Sequence, residues 1–224
     1  MRVMTDSLTV LLLGATAMVG VTGCARNWQT GAVVGAGGGA VAGGVIGKVA
    51  GSTAKGAIIG AVVGGVAGGL IGRSMDRQAD ELRRNIKGAT IERVGEGIEV
   101  TFDSGLLFDV DSDALRSEAR VNLQELARSF GAYKDSDILI VGHTDNTGTE
   151  AYNASLSQRR ATSAAGFLVS SGVSGARIQT LGLGETEPVA SNEVASGRQT
   201  NRRIEVAIYA SKDAQAAARR QAGS

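Results

Sequence analysis

Glycine recurs at every fourth position from 31 to 47 (31, 35, 39, 43, 47) and again from 56 to 72 (56, 60, 64, 68, 72). The two runs are copies with an offset of 25 residues. Gly31-Ala-Val-Val-Gly35-Ala matches Gly56-Ala-Ile-Ile-Gly60-Ala, and Val41-Ala-Gly-Gly-Val-Ile-Gly47-Lys48 matches Val66-Ala-Gly-Gly-Leu-Ile-Gly72-Arg73. This repeat constrains the fold strongly, because each glycine costs a helix in water about 1 kcal/mol relative to alanine. In a membrane helix, a spacing of four lines the glycines up as a smooth groove for close backbone approach, with Val, Ile, Leu and Ala facing lipid. A flexible linker would be polar and Ser-rich instead. A dinucleotide loop built on Gly35-x-Gly37-x-x-Ala40 would need an acid about 20 residues further on, and the next acid is Asp76. No cofactor is therefore expected. Each half has 17 residues, roughly 25 Å as helix, which is short for a span without help from its flanks. Lys48 and Lys55 fall in the connecting turn, with Arg26 and Arg73 at the other end. The pattern predicts a membrane hairpin over 31–72 that crosses and returns. A zipper that forms a homo-oligomer, or one that only dips into the bilayer, stays open as an alternative.

No acidic residue occurs from Ser7 to Met75, and from Asp76 onward all the remaining Asp and Glu follow. A membrane-compatible front is joined to a soluble back. The apolar stretch Leu8 to Val21 ends in Val21-Thr22-Gly23-Cys24, a secretory-signal pattern. It resembles the bacterial lipoprotein cleavage box, which implies that residues 1–23 are removed, that Cys24 is acylated, and that 24–30 form a lipidated amino terminus. Ala25 follows the cysteine where an Asp would hold such a protein in the inner membrane, so the resemblance favours lipid of the outer membrane. One cysteine excludes an intramolecular disulfide and zinc sites built on Cys pairs. One histidine excludes a multi-histidine metal site, and no metal is expected. A net charge of +1 gives no global bias toward nucleic acid.

Ser74 to Lys87 has a narrow apolar stripe of Met75, Ala79, Leu82 and Ile86, with Gly88 as a stop, and predicts a helical linker over 73–90. Residues 91–209 have domain size. Ile98, Val100 and Phe102 alternate with polar neighbours as a strand does, while Leu115, Ala119, Leu123, Leu126 and Phe130 trace a helical face. The apolar run Ile138 to Val141 reads as a buried strand. A second helix carries Leu156, Ala164, Phe167 and Leu168 and stops at Gly172. Strands at Arg177–Leu183 and Ile204–Ile208 complete an α+β order of β-α-β-α-β-β, a mixed sheet with helices on one face. The Ala/Arg/Gln-rich residues 210–224 predict a flexible tail.

Asp145 stands just past the carboxyl end of the buried strand, where open α/β sheets tend to place ligands. Arg160 lies four residues after Leu156 and four before Ala164, on the face that packs against the sheet. A buried guanidinium needs a carboxylate. The pattern alone leaves an internal pair with Asp145 and a ligand site equally open. His143 and Asp145 invite comparison with a hydrolase, but no Gly-x-Ser-x-Gly elbow is present and neighbours two apart in a loop need not face each other. The chain is not expected to be an enzyme.

Several blocks together settle the comparison: Gly142-His-Thr-Asp145-Asn-Thr-Gly148, Tyr152-Asn153, Leu156-Ser157-x-x-Arg160-Ala161, Gly182-x-Gly184-Glu-x-x-Pro188 and Asn201-Arg202-Arg203-Ile204-Glu205, with Val100-Thr-Phe-Asp-Ser-Gly-Leu-Leu-Phe108 ahead of them. They resemble the OmpA-like carboxyl-terminal domain over about half the chain, and with the lipobox and zipper they resemble outer-membrane lipoproteins of that family. The resemblance implies non-covalent binding of peptidoglycan through the diaminopimelate of its stem peptide. It makes Asp145 the acceptor of the ligand's ammonium and Arg160 the holder of its carboxylate. Asn153 and Thr144 would add hydrogen bonds, Asp111 would line the pocket where the family often has Asn, and Arg203 would match the second arginine of the family's Asn-Arg-Arg. The expected partners are peptidoglycan and outer-membrane lipid, with the domain in the periplasm and the outer membrane tethered to the wall. The alternative is a membrane assembly or pore protein driven by the zipper, with the OmpA-like domain only as a wall anchor. The MotB-type stators share the soluble domain but carry a proton-binding acid in their span, which the zipper lacks.

Overall fold

The computed structural model describes residues 51–223. Strand-forming alternation after Gly88 builds five strands: β1 (Ala89–Val94), β2 (Gly97–Asp103), β3 (Ser136–His143), β4 (Ile178–Gly184) and β5 (Arg203–Ala210). Their order across the sheet is β1-β2-β5-β3-β4. The β3–β4 pair is parallel and every other pair antiparallel, so the sheet is mixed. Central β5 pairs Val206 with both Val100 and Ile140.

Residues two apart on a strand share a face, and here the faces differ in chemistry. Ile98, Val100, Phe102, Ile138, Ile140, Ile204, Val206 and Ile208 point to one side and are buried under helices. These are α2 (Gly65–Asn85), α4 (Ser117–Ala132), α5 (Glu150–Ser170) and α7 (Lys212–Ala222); the single turn α3 (Ser104–Leu107) joins β2 to the loop before α4, and the short α6 (Ala195–Asn201) lies between β4 and β5. Ala119, Leu123, Leu126 and Phe130 form the inner face of α4, as their spacing predicts, and the tight turn at Gly172 ends the stretch after α5 with φ +98.

The opposite face is also covered. Helix α1 (Thr53–Gly60) lies on it, with Ala54 and Ile58 buried among Leu139, Val141 and Ala207. Polar contacts hold the helix at its start. Ser52 donates to Glu99, the Thr53 N–H and hydroxyl donate to the Glu187 carboxylate at 3.0 and 2.5 Å, and Lys55 pairs with Glu99 at 3.3 Å and Glu92 at 3.6 Å. Past its end, both oxygens of Glu96 accept from the Val63 and Gly64 N–H groups, each at 2.8 Å.

These contacts bear on several expectations. The α+β mixed sheet stands as predicted, and α1, from outside residues 91–209, adds a helix on its second face. The predicted return leg of the membrane hairpin, Gly56–Gly72, is split: α1 ends at Gly60, and Gly64 and Gly65 take φ of +72 and +62, a backbone region that breaks a right-handed helix and is open to glycine. Among the described residues no helix is long and apolar enough to cross a membrane; the outgoing leg, Gly31–Gly47, and Cys24 lie outside them. The segment read as a linker is part of the fold. Helix α2 begins at Gly65 rather than Ser74 and packs Ala67, Ile71, Met75, Ala79 and Leu82 into the main core, and β1 forms a hairpin with β2. The residues read as a flexible tail form α7, capped by the Ser211 hydroxyl and burying Ala218. The strand-helix order is therefore ββαβαββ at the level of the main elements, one strand more than predicted.

Removing the Ile58 side chain beyond its Cβ tests the docking of α1. Ile58→Ala is expected to lower stability by about 3 kcal/mol, read as a shifted urea midpoint. An unchanged midpoint would mean that Ile58 packs against lipid or solvent instead.

Candidate functional site

The parallel pair β3–β4 ends at a cluster of charged side chains. After β3, Asp145 folds the loop by accepting the Thr147 N–H on Oδ1 at 2.8 Å, a turn Asp commonly forms. Its Oδ2 pairs with Arg202. Asp145 is 6% exposed. Burial works to raise its pKa, but the Thr147 N–H, Arg202 and the Thr147 hydroxyl outweigh burial and hold the carboxyl below its ordinary value. Thr149 caps α5 by accepting the Tyr152 N–H, which sets the register of Asn153 and Arg160 on that helix.

Arg160 is 4% exposed. Its Nε donates to the Ser112 carbonyl at 2.8 Å and its Nη2 to the Asp109 carbonyl at 3.3 Å, and the guanidinium lies 5.3 Å from the centre of the Phe108 ring. Burial lowers its pKa, with Tyr152 and Asp111 acting against that. Among the described residues no carboxylate lies within 4.0 Å of it. The internal partner of Asp145 is thus Arg202, and Arg160 holds main-chain carbonyls with its charge uncompensated by direct contact.

Asn153, fully buried, donates from Nδ2 to the Asp145 carbonyl at 3.2 Å and to Glu185 Oε2 at 2.6 Å. Thr144 donates its N–H to the Gly184 carbonyl at 2.9 Å, while its buried hydroxyl has no hydrogen-bond partner among the described residues. Asp111 takes φ +60 and accepts the Tyr152 hydroxyl. Asn and Asp tolerate that left-handed conformation better than other L residues, so the two residue types share a backbone reason for standing at this position.

Arg203 does not join the cluster. It faces the other side of the sheet, where its Nε bonds Glu205 at 2.7 Å and its Nη2 the Glu187 carbonyl at 3.1 Å. His143 is there too, with Nε2 3.7 Å from Glu205 Oε2, and so does not work with Asp145. Strand alternation separates Arg202 from Arg203: with Ile204 and Val206 facing the helices, Arg202 shares their side. That signal lay in the sequence and points to Arg202, which pattern reading passed over along with Tyr152 and Glu185.

The second-face cluster gives the fold a pH response. Burial pushes Glu205 up, but His143 and Arg203 outweigh it and hold the carboxyl at about 2. An unfolded Glu titrates at about 4.3, so this group's stabilisation is complete above that value and is lost as pH falls toward 2. Glu99 is shifted the other way by burial and by Glu205, against Lys55, so its protonation on acidification stabilises the fold and offsets part of the loss. Urea midpoints between pH 6 and 2 should therefore fall less steeply in Glu205→Gln than in the unchanged chain.

A mixed five-stranded sheet with a carboxylate at the end of β3 and a buried arginine on the helix that follows defines the class of OmpA-like α+β domains. Residues 107–202 match the OmpA family and residues 4–76 match the YMGG-like Gly-zipper. Outer membrane protein A of Bordetella avium is 44% identical over 114 residues, 51% of this chain and 59% of that protein. The peptidoglycan-associated lipoprotein of Mesorhizobium japonicum is 36% identical over 125 residues, 56% of this chain and 74% of that one. The solved structure of the cell wall anchor of the T6SS from Pseudomonas aeruginosa is 33% identical with a TM-score of 0.53, covering 61% of this chain and 97% of that one. The chain belongs to the OmpA family. It spans 59% of the length of the Bordetella relative, so the likeness concerns a shared domain and not that whole protein.

Proposed function

We propose that the chain is a lipid-anchored protein of the outer membrane that binds peptidoglycan without breaking it, through the diaminopimelate of the stem peptide. The observation that carries this reading is the buried Arg160 guanidinium, which has no carboxylate partner among the described residues, on the same helix as Asn153, whose amide bonds the carbonyl of the buried Asp145. A buried cation of this kind is matched by a ligand carboxylate, which the fork of Arg can take bidentately. Asp145, already acceptor-only, would take the ligand's ammonium beside Arg202. The names of the wall-binding relatives support peptidoglycan as the partner. Asp111, Asn153 and Thr144 would line the site, while Arg203 would act from the far face through the fold alone. Cys24 would carry the acyl anchor, placing the domain in the periplasm.

The pore-forming alternative gains nothing from the described part of the zipper, which packs on the domain's own sheet. Incubation with purified sacculi tests the proposal: the chain should sediment with them, free diaminopimelate should compete it off, and no soluble fragments should be released. Failure to sediment would remove the proposal, and released fragments would make the protein an enzyme.

A further inference from the structure

Glu185 is a half-buried carboxylate on the turn after β4, and among the described residues no cation lies within 4.0 Å of it. Its hydrogen bond goes to a neutral group, the Asn153 amide, at 2.6 Å. We propose that Glu185 is a positioning residue that fixes which end of the Asn153 amide faces the ligand; this rests on the diaminopimelate reading above. An amide presents two N–H donors at one end and an acceptor oxygen at the other. Asn153 Nδ2 meets two acceptors at once, the Asp145 carbonyl and Glu185 Oε2. The reversed amide would set its oxygen against a carbonyl and a carboxylate, three acceptors with no proton among them, and the cost of such unpaired buried groups excludes it.

With the nitrogen held inward, Oδ1 is left on the side of Gly148, in the loop that carries Asp145. The ammonium end of the site then offers two kinds of acceptor, the Asp145 carboxylate and the Asn153 oxygen, while Arg160 serves the carboxylate end. Glu185 thereby sets the polarity of a residue that meets the ligand, without meeting the ligand itself, and favours a ligand that donates from nitrogen at that end.

The test is titration of the full chain with diaminopimelate. Glu185→Ala removes the acceptor and should weaken binding about tenfold, the worth of one hydrogen bond to a charged group. Glu185→Gln keeps an acceptor oxygen at the same reach and should restore affinity to within about twofold of the unchanged chain. Glu185→Ala combined with Asn153→Ala should bind no more weakly than Asn153→Ala alone. Three results would each overturn the inference and leave the diaminopimelate reading standing: full affinity in Glu185→Ala, equal loss in Glu185→Gln, or additive losses in the double variant. No binding by the unchanged chain would overturn both.

Discussion

Asp145→Asn is expected to abolish retention of the chain on sacculi and to weaken diaminopimelate binding by about 100-fold or more, the range for removing one member of a desolvated charge pair. Asn keeps the shape and can still accept the Thr147 N–H, so the loss isolates the charge. The same change should leave stability nearly intact, because the pair with Arg202 is part-exposed on the arginine side, at 41%, and such pairs are worth about 0–1 kcal/mol. Retained sedimentation with an unchanged urea midpoint would remove Asp145 from the site. Arg160→Ala is a less clean probe. Its guanidinium holds the Ser112 and Asp109 carbonyls, so that variant loosens the 109–112 loop as well as the ligand end.

Gly182→Ala should have the larger effect on the fold. A methyl at Gly182 would lie 2.3 Å from the Gln158 nitrogen and 2.5 Å from its Cα, and one at Gly142 would lie 2.3 Å from the Ser157 carbonyl oxygen. The backbone of α5 rests directly on β3 and β4, with Ser157 Oγ accepting the Gly184 N–H at 2.9 Å and Gln158 Oε1 accepting the Gly182 N–H at 2.7 Å. Backbone on both sides leaves nothing to rotate away, so either substitution should cost about 3 kcal/mol or more. It should also weaken ligand binding in whatever folds, because α5 carries both Asn153 and Arg160. Gly131→Ala is the control: a methyl there meets nothing within 4 Å on an exposed helical position, and the change should stabilise by up to about 1 kcal/mol. Equal unfolding midpoints across the three variants would contradict this packing.

The domain was legible where the pattern had one physical meaning. Alternating Ile98, Val100 and Phe102, and the four-then-three spacing of Ala119, Leu123 and Leu126, allow little else. The glycine-rich segment was not legible, because small and branched apolar residues suit a lipid-facing helix and a helix on a sheet equally well. What selects the sheet for α1 is a set of acids remote in sequence: Glu99 for Ser52, Glu187 for Thr53 and Glu96 for Val63 and Gly64. Strand β1 was missed although a two-residue Gly95-Glu96 turn between Ile91 and Ile98 has hairpin spacing. In the site, the strand end and the helix face singled out Asp145 and Arg160, while their ligand roles, and Asn153 with them, came from resemblance. Strand alternation beside Ile204 and Val206 could place Arg202 on the helix side of the sheet, but only the fold brings its guanidinium to Asp145.

Docking of α1 also sets a length. If Cys24 carries the anchor, the 27 residues from Ala25 to Gly51 separate it from the held Ser52, a length of chain that can reach at most about 100 Å. Undocking residues 53–64 would add at most about 40 Å. On that anchor and with the proposed wall binding, the contacts of Glu96, Glu99 and Glu187 would cap the gap between membrane and wall that one molecule can bridge without unfolding part of itself.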